Sequence, residues 1–332
     1  MAHTVDMSSI PMFYDKRYLE RLVPQIAMEE LCLQKPLPAN SGTTMYFPMM
    51  SASSTTVSAY KSTAGTVVTP EAAHDFRVSA VIEKYRNAKS IWDLAKITGL
   101  STYIDEVVDE QADQAAQIID KKILEEAYGT SAMPWGGGFS CFAYDTTAGV
   151  NILATSQMSA IGTFFGMAGR TFKATTATIR AAAGKLRGLN VRPFDDGFYR
   201  MAVHTDTEMA LLADTTWATS PNYLTPEEIQ KGIFKAYAGV KFVRDNNIYT
   251  SACGTSAAAY TQATAYCSVL VGKGALGMSK LDGGVKTYLK EPGTQDTSNP
   301  VDEFVTFGWK IMFVPKRLNV NKGLIVLTQD LG

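Results

Sequence analysis

The stretch STYIDEVVDEQADQAAQIIDKKILEEAY, residues 101–128, carries the most regular pattern in the chain and decides the fold. Its apolar side chains recur at steps of three or four residues, which is the spacing of one face of an α-helix. They are Ile104, Val108, Ala112, Ala115, Ile119 and Ile123. Ser101 or Thr102 can cap the start, and Gly129 can end the helix. At about 1.5 Å per residue the helix is roughly 40 Å long, so we predict that it serves as a spine.

The charges in the first half of this helix are all acidic. They belong to Asp105, Glu106, Asp109, Glu110 and Asp113. Acids near a helix N-terminus interact favourably with the macrodipole, but that benefit fades after the first turn. The acidic run therefore indicates either a solvated face or a face that meets a basic partner surface.

The sequence before this helix predicts a long two-stranded excursion. Residues 43–50 (TTMYFPMM) and 74–91 are rich in β-prone side chains, and residues 51–70 between them are mostly Ser, Thr, Ala and Val. A connection of this length without its own core is uncommon in a compact domain. Because an isolated hairpin is only marginally stable in water, we expect this excursion to need a partner surface.

Residues 1–42 are predicted to form an arm rather than a compact unit. Pro24 interrupts a short helical periodicity, and Pro36 and Pro38 favour extended chain. Two interpretations fit this pattern: a surface helix followed by a linker, or a segment that packs on a neighbouring molecule.

The sequence after the spine helix mixes helices and strands. Residues 129–170 are glycine-rich and are expected to be irregular. Periodicity and capping predict a helix over 175–188, a strand over 198–204, a short helix over 206–213, a helix that begins at Thr225, a strand over 239–250, and β-rich segments over 301–314 and 322–328. The order shows no regular β-α-β rhythm, so the predicted fold class is α+β.

Composition narrows the classes of function. The chain has 332 residues and a mass of 36.0 kDa, enough to bury a large core. Its 31 basic and 32 acidic side chains give a net charge of −1, so no global charge attracts nucleic acid or an anionic membrane. No apolar run is long enough to span a membrane. The four cysteines and three histidines match no metal motif, and the cysteines are expected to be free thiols in a reducing compartment.

Several short motifs match patterns of catalysis or cofactor binding, but the sequence around each of them does not fit that function. Gly272–Gly277 (GKGALG) matches G-x-G-x-x-G, but too few residues follow it to build a doubly wound nucleotide-binding domain. Asp195 and Asp196 precede a glycine and predict a solvated turn. His204 has no nucleophile that the sequence can pair with it, so a structural role is expected. We therefore predict no catalytic residue, no cofactor and no metal.

The segment 170–192 contains six basic residues and no acid. They are Arg170, Lys173, Arg180, Lys185, Arg187 and Arg192. Such a segment could meet phosphates, or the acidic face of the spine helix on another copy. Because no aromatic side chains interleave as a stacking platform for bases would require, we predict a contact between proteins.

Taken in order, these segments resemble the major capsid (coat) proteins of tailed double-stranded-DNA phages, which have the Hong Kong 97 fold, and in particular the branch typified by coliphage N-four. The resemblance covers about residues 12–328. It rests on Gly42-Thr43-Thr44, the stretch from Val67 to Leu124, FYRMAVHTDTEMALLAD at 198–214, GKGALG, Asn299-Pro300 and the run from Val301 to Thr328.

The resemblance implies a division of the chain. The implied units are an N-terminal arm (1–42), an extended two-stranded loop (43–91) with its tip at about 51–75, a peripheral domain (92–170) with the spine helix 101–128 and a glycine-rich insertion at 129–170, an axial domain (171–285), and the C-terminal strands of the peripheral domain (286–332).

The resemblance also implies a structural role without enzymatic activity. Copies would assemble as hexamers and pentamers into an icosahedral shell that encloses packaged double-stranded DNA. The implied partners are further copies, a scaffolding protein and a portal during assembly, a decoration protein, and DNA contacted without sequence specificity, but no membrane. The implied location is the virion capsid, assembled in the host cytoplasm. Two alternatives are a nanocompartment shell protein of the same fold and a cytosolic nucleotide-dependent enzyme that uses the Gly272–Gly277 turn.

Contacts between subunits are expected at the loop tip and between oppositely charged surfaces. The expected contact residues are Tyr60 and Lys61 in the loop, Asp105, Glu106 and Asp109 on the spine helix, and Arg180, Lys185 and Arg187 in the basic segment. If the charged surfaces pair, reversing the charges of the three spine acids should impair assembly.

Overall fold

A long helix that packs on one of two large β-sheets organises the chain. The computed structural model describes residues 15–22, 26–38, 42–50, 61, 75–92, 103–129, 138–154, 172–218, 236–252, 264–290 and 303–330. Within these residues the helices are α1 (15–22), α2 (Tyr103–Tyr128), α3 (Thr176–Gly188), α4 (Thr205–Leu212) and α5 (Thr215–Ala218), and the 3₁₀ turns are Met28–Leu31 and Val320–Lys322.

Strands make up most of the remaining described chain. They are β1 (Cys32–Gln34), β2 (Thr44–Met50), β3 (Asp75–Val81), β4 (Glu83–Trp92), β5 (Ser140–Asp145), β6 (Val150–Ala154), β7 (Tyr199–Val203), β8 (Val240–Arg244), β9 (Thr250–Ala252), β10 (Thr264–Val271), β11 (Leu276–Lys290), β12 (Phe304–Arg317) and β13 (Gly323–Asp330). Helices and strands are mixed without a β-α-β rhythm, which confirms the α+β prediction.

A four-stranded sheet in the order β1-β11-β12-β4 carries the spine helix α2 on one face. β1 runs parallel to β11, whereas β11, β12 and β4 are antiparallel. The apolar stripe of α2 and the inward side chains of β12 share one buried core. Its members include Val108, Ala112, Ile119, Phe307, Trp309, Ile311 and Phe313. The predicted spine helix is therefore confirmed over Tyr103–Tyr128.

A seven-stranded sheet forms the second layer. Its order is β6-β5-β13-β10-β7-β8, and β9 pairs with β10. The central strands β10 and β13 are buried on both faces, so they stand in the sequence as nearly continuous apolar runs rather than as alternating patterns. The predicted helix over 175–188 is confirmed as α3, which packs on this sheet through Ile179, Ala182 and Leu186.

β2 and β3 form a two-stranded ribbon, which confirms the predicted excursion over 44–50 and 75–81. Residues 83–92 of the predicted return segment instead form β4, which pairs with β12 in the four-stranded sheet. The register of β2 and β3 runs from Thr44 opposite Val81 to Met50 opposite Asp75. One face of the ribbon base is buried through Met45, Phe47 and Ala80. The tip of the excursion lies outside the described residues, apart from Lys61.

The prediction that residues 129–170 are irregular is wrong for 140–154. β5 and β6 pair antiparallel there, and β5 runs parallel to β13. Cys141, Phe142 and Ala143 are all buried, so the strand shows no polar alternation that the sequence could reveal. The helix predicted to begin at Thr225 lies outside the described residues.

Sheet membership also bears on the predicted domains. β5 and β6 from the segment 92–170 and β13 from the segment 286–332 lie in one sheet with β7, β8 and β10, whereas β12 lies with the spine helix. The seven-stranded sheet thus combines strands from three of the predicted segments, because pairing does not follow chain order. The division into an arm, an extended loop, a peripheral domain and an axial domain stays a prediction.

The described part of the predicted arm packs on its own chain. Tyr18 and Leu22 of α1 are buried in the core between α2 and the four-stranded sheet, which together we call the spine layer. The Tyr18 ring lies 5.9 Å from that of Phe307. After the 3₁₀ turn, β1 adds to the edge of the sheet beside β11. Among the described residues, no helix has the length and hydropathy needed to cross a membrane.

Phe307→Ala is expected to lower the free energy of unfolding by about 3–5 kcal/mol, because it leaves a cavity between α1, α2 and β12. Phe307 has no exposed surface, whereas Met209 on α4 is 62% exposed. Met209→Ala is therefore the control, with an expected change within about 0.5 kcal/mol. Urea unfolding of the unassembled chain, followed by tryptophan fluorescence, measures both. A loss in Phe307→Ala no larger than in the control would contradict the proposed core.

Candidate assembly surfaces

The acidic face of α2 is bound by two arginines of α1 in the same chain. Arg17 lies 2.8 Å from Asp105 and 3.0 Å from Asp109. Arg21 lies 3.3 Å from Asp109 and 2.6 Å from Asp113. We call this set of ion pairs the arm latch. Its members are partly exposed, so each pair contributes at most about 1 kcal/mol.

The arm latch shifts the titration of its central acid. The hydrogen bond from Arg17, together with the charges of Arg17 and Arg21, lowers the pKa of Asp109 against the opposing effect of partial burial. The acid stays ionised at neutral pH, and the latch holds α1 parallel to the first half of α2. Of the two interpretations of the acidic run, a face that meets a basic surface applies to these three aspartates, and that surface belongs to their own chain.

A buried carboxyl group holds the arm at a second point. Asp120 accepts backbone hydrogen bonds from Met28 at 3.0 Å and from Ala27 at 3.2 Å. Burial raises the pKa of Asp120 to about 7 against the effect of these hydrogen bonds, and the nearby Asp245 carboxylate adds to the increase. Asp245 is itself buried, and burial raises its pKa as well. Two acidic groups therefore sit close together beneath the arm.

The predicted basic contact residues lie on α3, where two of them hold a neighbouring loop. Arg180 donates to the hydroxyl of Tyr237 at 3.0 Å, and Arg187 donates to the carbonyl of Ala238 at 2.7 Å. These bonds fix the turn before β8, in which Ala238 has a φ of 53° and Gly239 a φ of 82°. A Cβ at Gly239 would lie 2.5 Å from the Arg187 guanidinium, so a side chain there would displace the arginine.

The remaining predicted contact residues are partly accessible. Glu106 is exposed on α2, Lys185 is half-buried on α3, and Lys61 is exposed. Tyr60 lies outside the described residues. The contribution of all eight predicted residues to contacts between subunits stays a prediction.

The Gly272–Gly277 turn connects the two large sheets and has no helix after it. It joins β10 directly to β11. Three of its backbone N–H groups already bind protein carbonyls: Gly272 to Lys322 at 2.9 Å, Lys273 to Arg192 at 3.0 Å and Ala275 to Gly272 at 3.2 Å. A phosphate-binding loop directs these groups at the ligand instead. The arrangement therefore gives no support to the nucleotide-binding alternative.

Packing and backbone geometry explain the glycines of this turn. A Cβ at Gly272 would lie 2.3 Å from Val191 Cγ1, and a Cβ at Gly277 would lie 2.9 Å from the Phe47 ring of the ribbon. Gly274 has a φ of 75°, in the left-handed region that favours glycine. The motif thus marks the place where the two sheets and the ribbon approach one another.

The other residues considered for catalysis have structural positions. His204 is the N-cap of α4, and its Nδ1 accepts from the backbone of Asp206 at 3.2 Å. Asp196 accepts from the backbone of Phe198 at 3.1 Å within an exposed turn, as predicted. Across the described ranges, no group of three or more His, Cys, Asp or Glu side chains is placed to hold a metal ion.

Sequence reasoning missed the arm latch, although its signal is visible. Arg17 and Arg21 are four residues apart, as are Asp105, Asp109 and Asp113 in turn. Residues four apart share one face of a helix, so these are two complementary charge rows. Sequence reasoning also missed Asp120, because nothing in the local pattern distinguishes a buried acid from an exposed one.

Comparison with solved structures identifies the fold. The capsid of Ralstonia phage GP4 matches with a TM-score of 0.61 and 13% identity, over 90% of this chain and 87% of that one. The capsid of cyanophage Pam1 matches with a TM-score of 0.59 and 11% identity, over 94% and 92%. The acid-stable capsid of Helicobacter pylori bacteriophage KHP30 matches with a TM-score of 0.60 and 10% identity, over 90% and 88%.

No protein-family model and no curated protein sequence matches the chain. At identities this low, the structural likeness shows the fold alone. The fold is shared with the capsid chains of these phages, as the resemblance implied. It spans almost the whole length of both the chain and its structural neighbours.

Asp120→Asn is expected to weaken a pH dependence of stability. Burial raises the pKa of Asp120 from an ordinary value of 3.8 to about 7 in the folded chain. The folded chain binds the proton more tightly, so the free energy of unfolding falls as the pH rises from about 4 to about 7, by on the order of 3 kcal/mol. Asparagine does not titrate. Urea midpoints at about pH 5 and about pH 8 should therefore differ less in the variant than in the wild type.

Asp214→Asn is the control. The pKa of Asp214 is lowered from its ordinary value of 3.8, so this substitution should leave the difference between about pH 5 and about pH 8 as it is in the wild type. Asp214 accepts from the backbone and hydroxyl of Thr176 at 2.7 and 2.8 Å. Burial acts to raise its pKa, but these hydrogen bonds outweigh burial and the pKa is lowered. Its contribution to stability is present above the ordinary pKa and is lost as the pH falls through the folded pKa. The same pH dependence in Asp120→Asn and the wild type would contradict the role given to Asp120.

Proposed function

We propose that this chain is a structural major capsid protein whose copies assemble as hexamers and pentamers into an icosahedral shell around packaged double-stranded DNA. The observation that carries the proposal is the match of the fold, over about nine tenths of the chain, to capsid chains of several phages. A fold can serve several functions, so the proposal also depends on what the surfaces of this chain can do.

The β2–β3 ribbon supports assembly because its apolar face continues beyond its own core. Met45, Phe47 and Met49 of β2 share one face with Ala80, Val78 and Phe76 of β3, by the pairing register. At the base this face is buried, but Phe76 near the far end is 47% exposed. On the opposite face Tyr46 is 53% exposed. A two-stranded ribbon is marginal alone, so a neighbouring copy that covers its far end would stabilise it.

In this proposal the shell is held together by the same contacts between subunits, repeated many times. Each contact between subunits can be modest, since a closed shell engages every copy with several neighbours at once and the contacts reinforce one another. A net charge of −1 suits such an arrangement, because copies packed side by side do not repel strongly.

The finer parts of the proposal concern partners and location. We infer a scaffolding protein and a portal during assembly, a decoration protein on the finished particle, DNA contacted without sequence specificity, and assembly in the host cytoplasm. The role is structural rather than enzymatic. The resemblance supports these inferences. The hydrogen bonds of the Gly272–Gly277 backbone to protein carbonyls support only the structural role, because they leave this turn unsuited to bind phosphate.

Electron microscopy of the purified chain, produced with and without a co-expressed scaffolding protein, tests the proposal. We expect closed shells, tubes or hexameric capsomers. A monodisperse small oligomer in the presence of the scaffolding protein would overturn it. Particles that form without a portal and that consistently enclose a protein cargo instead of DNA in the native host would favour the nanocompartment alternative.

Glu106→Lys tests the proposed charge pairing between copies. Glu106 is exposed and is not one of the acids in the arm latch, so its reversal leaves the latch intact. If Glu106 faces Lys185 or its neighbours on another copy, the variant should fold normally but give fewer shells. Adding Lys185→Glu should restore part of the yield by exchanging the two charges.

Light scattering and electron microscopy measure shell yield, and circular dichroism confirms folding. Met209→Ala, on the exposed side of α4, serves as the control that should assemble normally. Normal shell yield from Glu106→Lys would rule out the charge pairing. A triple reversal with Asp105 and Asp109 would be less informative, because it would also break the arm latch.

A further inference from the structure

The face of the β11–β12–β4 sheet that points away from α2 is strongly basic. Alternation along the strands sends Phe307, Trp309 and Ile311 inward, so their neighbours in sequence point outward. The outward charged side chains on the described strands are Lys84 and Arg86 of β4, Lys310 of β12, and Lys286 and Lys290 of β11. Among the residues of these strands whose side chains the structure describes, none at an outward position is acidic. We call this surface the basic sheet face.

Three of these cations stand in one row across three adjacent strands. Arg86 is directly opposite Lys310, and Lys310 is directly opposite Lys286. Paired strands lie about 4.8 Å apart, so the row spans roughly 10 Å. Like charges directly opposite each other destabilise a sheet. An anionic group placed over Arg86 and Lys310 would offset the repulsion between these two cations.

The surroundings of Tyr288 show that the cations share one surface. The Lys310 ammonium lies 5.1 Å from the centre of the Tyr288 ring. A hydrogen bond from Lys310 lowers the pKa of Tyr288, and the charges of Lys286 and Lys84 act in the same direction. Charges from all three strands therefore act on one exposed aromatic ring.

Aromatic side chains accompany the cations. Tyr288 is 53% exposed at the centre of the face, and Trp92 is 56% exposed at one end, where its ring packs 5.5 Å from that of Phe304. Trp, Tyr and Arg are the side chains that most often carry the binding energy of protein interfaces. Duplex DNA presents phosphates at its surface and keeps its bases stacked inside, so it offers no apolar partner for an exposed tryptophan.

We propose that the basic sheet face binds an acidic polypeptide, distinct from this chain, whose carboxylates meet the cation row and whose apolar side chains pack on Trp92 and Tyr288. A second copy is a poorer fit. Asp105, Asp109 and Asp113 on the acidic face of α2 are already bound by Arg17 and Arg21 of the same chain. The proposal goes beyond the shell function, because it concerns a partner of another sequence.

Fluorescence anisotropy with a labelled peptide of alternating acidic and aromatic residues tests this proposal on the unassembled full-length chain. The Arg86→Gln/Lys310→Gln variant should bind the peptide on the order of tenfold more weakly, and Trp92→Ser should also weaken binding. Affinity in the wild type should fall as salt rises, because the charged contacts are exposed. The Lys16→Gln/Lys121→Gln variant removes the same charge from exposed positions on α1 and α2 and should bind as the wild type does.

The proposal is overturned if the sheet variant binds the peptide as tightly as the wild type, or if the control variant loses as much affinity. Duplex DNA of equal charge is measured in parallel. If the sheet variant loses DNA binding while Trp92→Ser leaves peptide binding unchanged, the partner is DNA and the proposal is wrong. If the sheet variant folds but no longer forms shells, the face is a contact between copies and the proposal is also wrong. Failure of the shell function itself would appear separately, as an absence of shells in the wild type.

Discussion

Packing of α2 along the inner face of the β11–β12–β4 sheet is the contact on which the other parts depend. The apolar side chains of α1 pack on this core, and Asp120 of α2 accepts a hydrogen bond from the backbone of Met28 in the 3₁₀ turn. β1 then extends the same sheet by pairing with β11. The end of the same helix reaches the second sheet, where the Tyr128 hydroxyl donates to the carbonyl of Cys267 at 2.6 Å. One helix thus sets the position of the arm and contacts both sheets.

The connection between the sheets depends on close backbone approach. At the turn between β10 and β11, glycines at 272 and 277 leave room for Val191 and for the Phe47 ring of the ribbon. The carbonyl of Ala275 accepts from the backbone of Leu318 at the end of β12, at 2.8 Å. The ribbon, the spine layer and the seven-stranded sheet therefore contact one another at this turn. Because the packing is close, a displacement of the ribbon base would also displace residues in both sheets.

Local periodicity predicted the parts of this fold that are amphipathic. The spine helix, α3 and the strands of the ribbon each show one face of constant character, and each was found where the pattern placed it. β5 was missed because both its faces are buried and a strand of that kind has no alternation. Its partner β13 lies far away in sequence, and pairing over such a distance leaves no local signal.

The candidate surfaces were less predictable, since a charge pattern shows what a surface can attract but not what covers it. The acidic row of α2 was visible, but its partner in α1 could be identified only once the arm was seen to fold back. The basic sheet face escaped notice for a different reason. Its cations are spread over β4, β11 and β12, and they form a row only through the pairing register.

These charges make the spine layer polarised, although the whole chain is nearly neutral. The acids of α2 and the arginines of α1 lie on one side of the sheet, and the cation row lies on the other. The arm latch neutralises part of the acidic side within the chain. Glu83, the one acid among the described side chains of these three strands, lies on the inner side of the sheet, 3.8 Å from Lys122. Copies placed side by side in the same orientation would therefore align their basic faces into a larger basic area. Because potentials from neighbouring copies add within a Debye length of about 10 Å, such an array would attract an acidic partner more strongly than a single copy does.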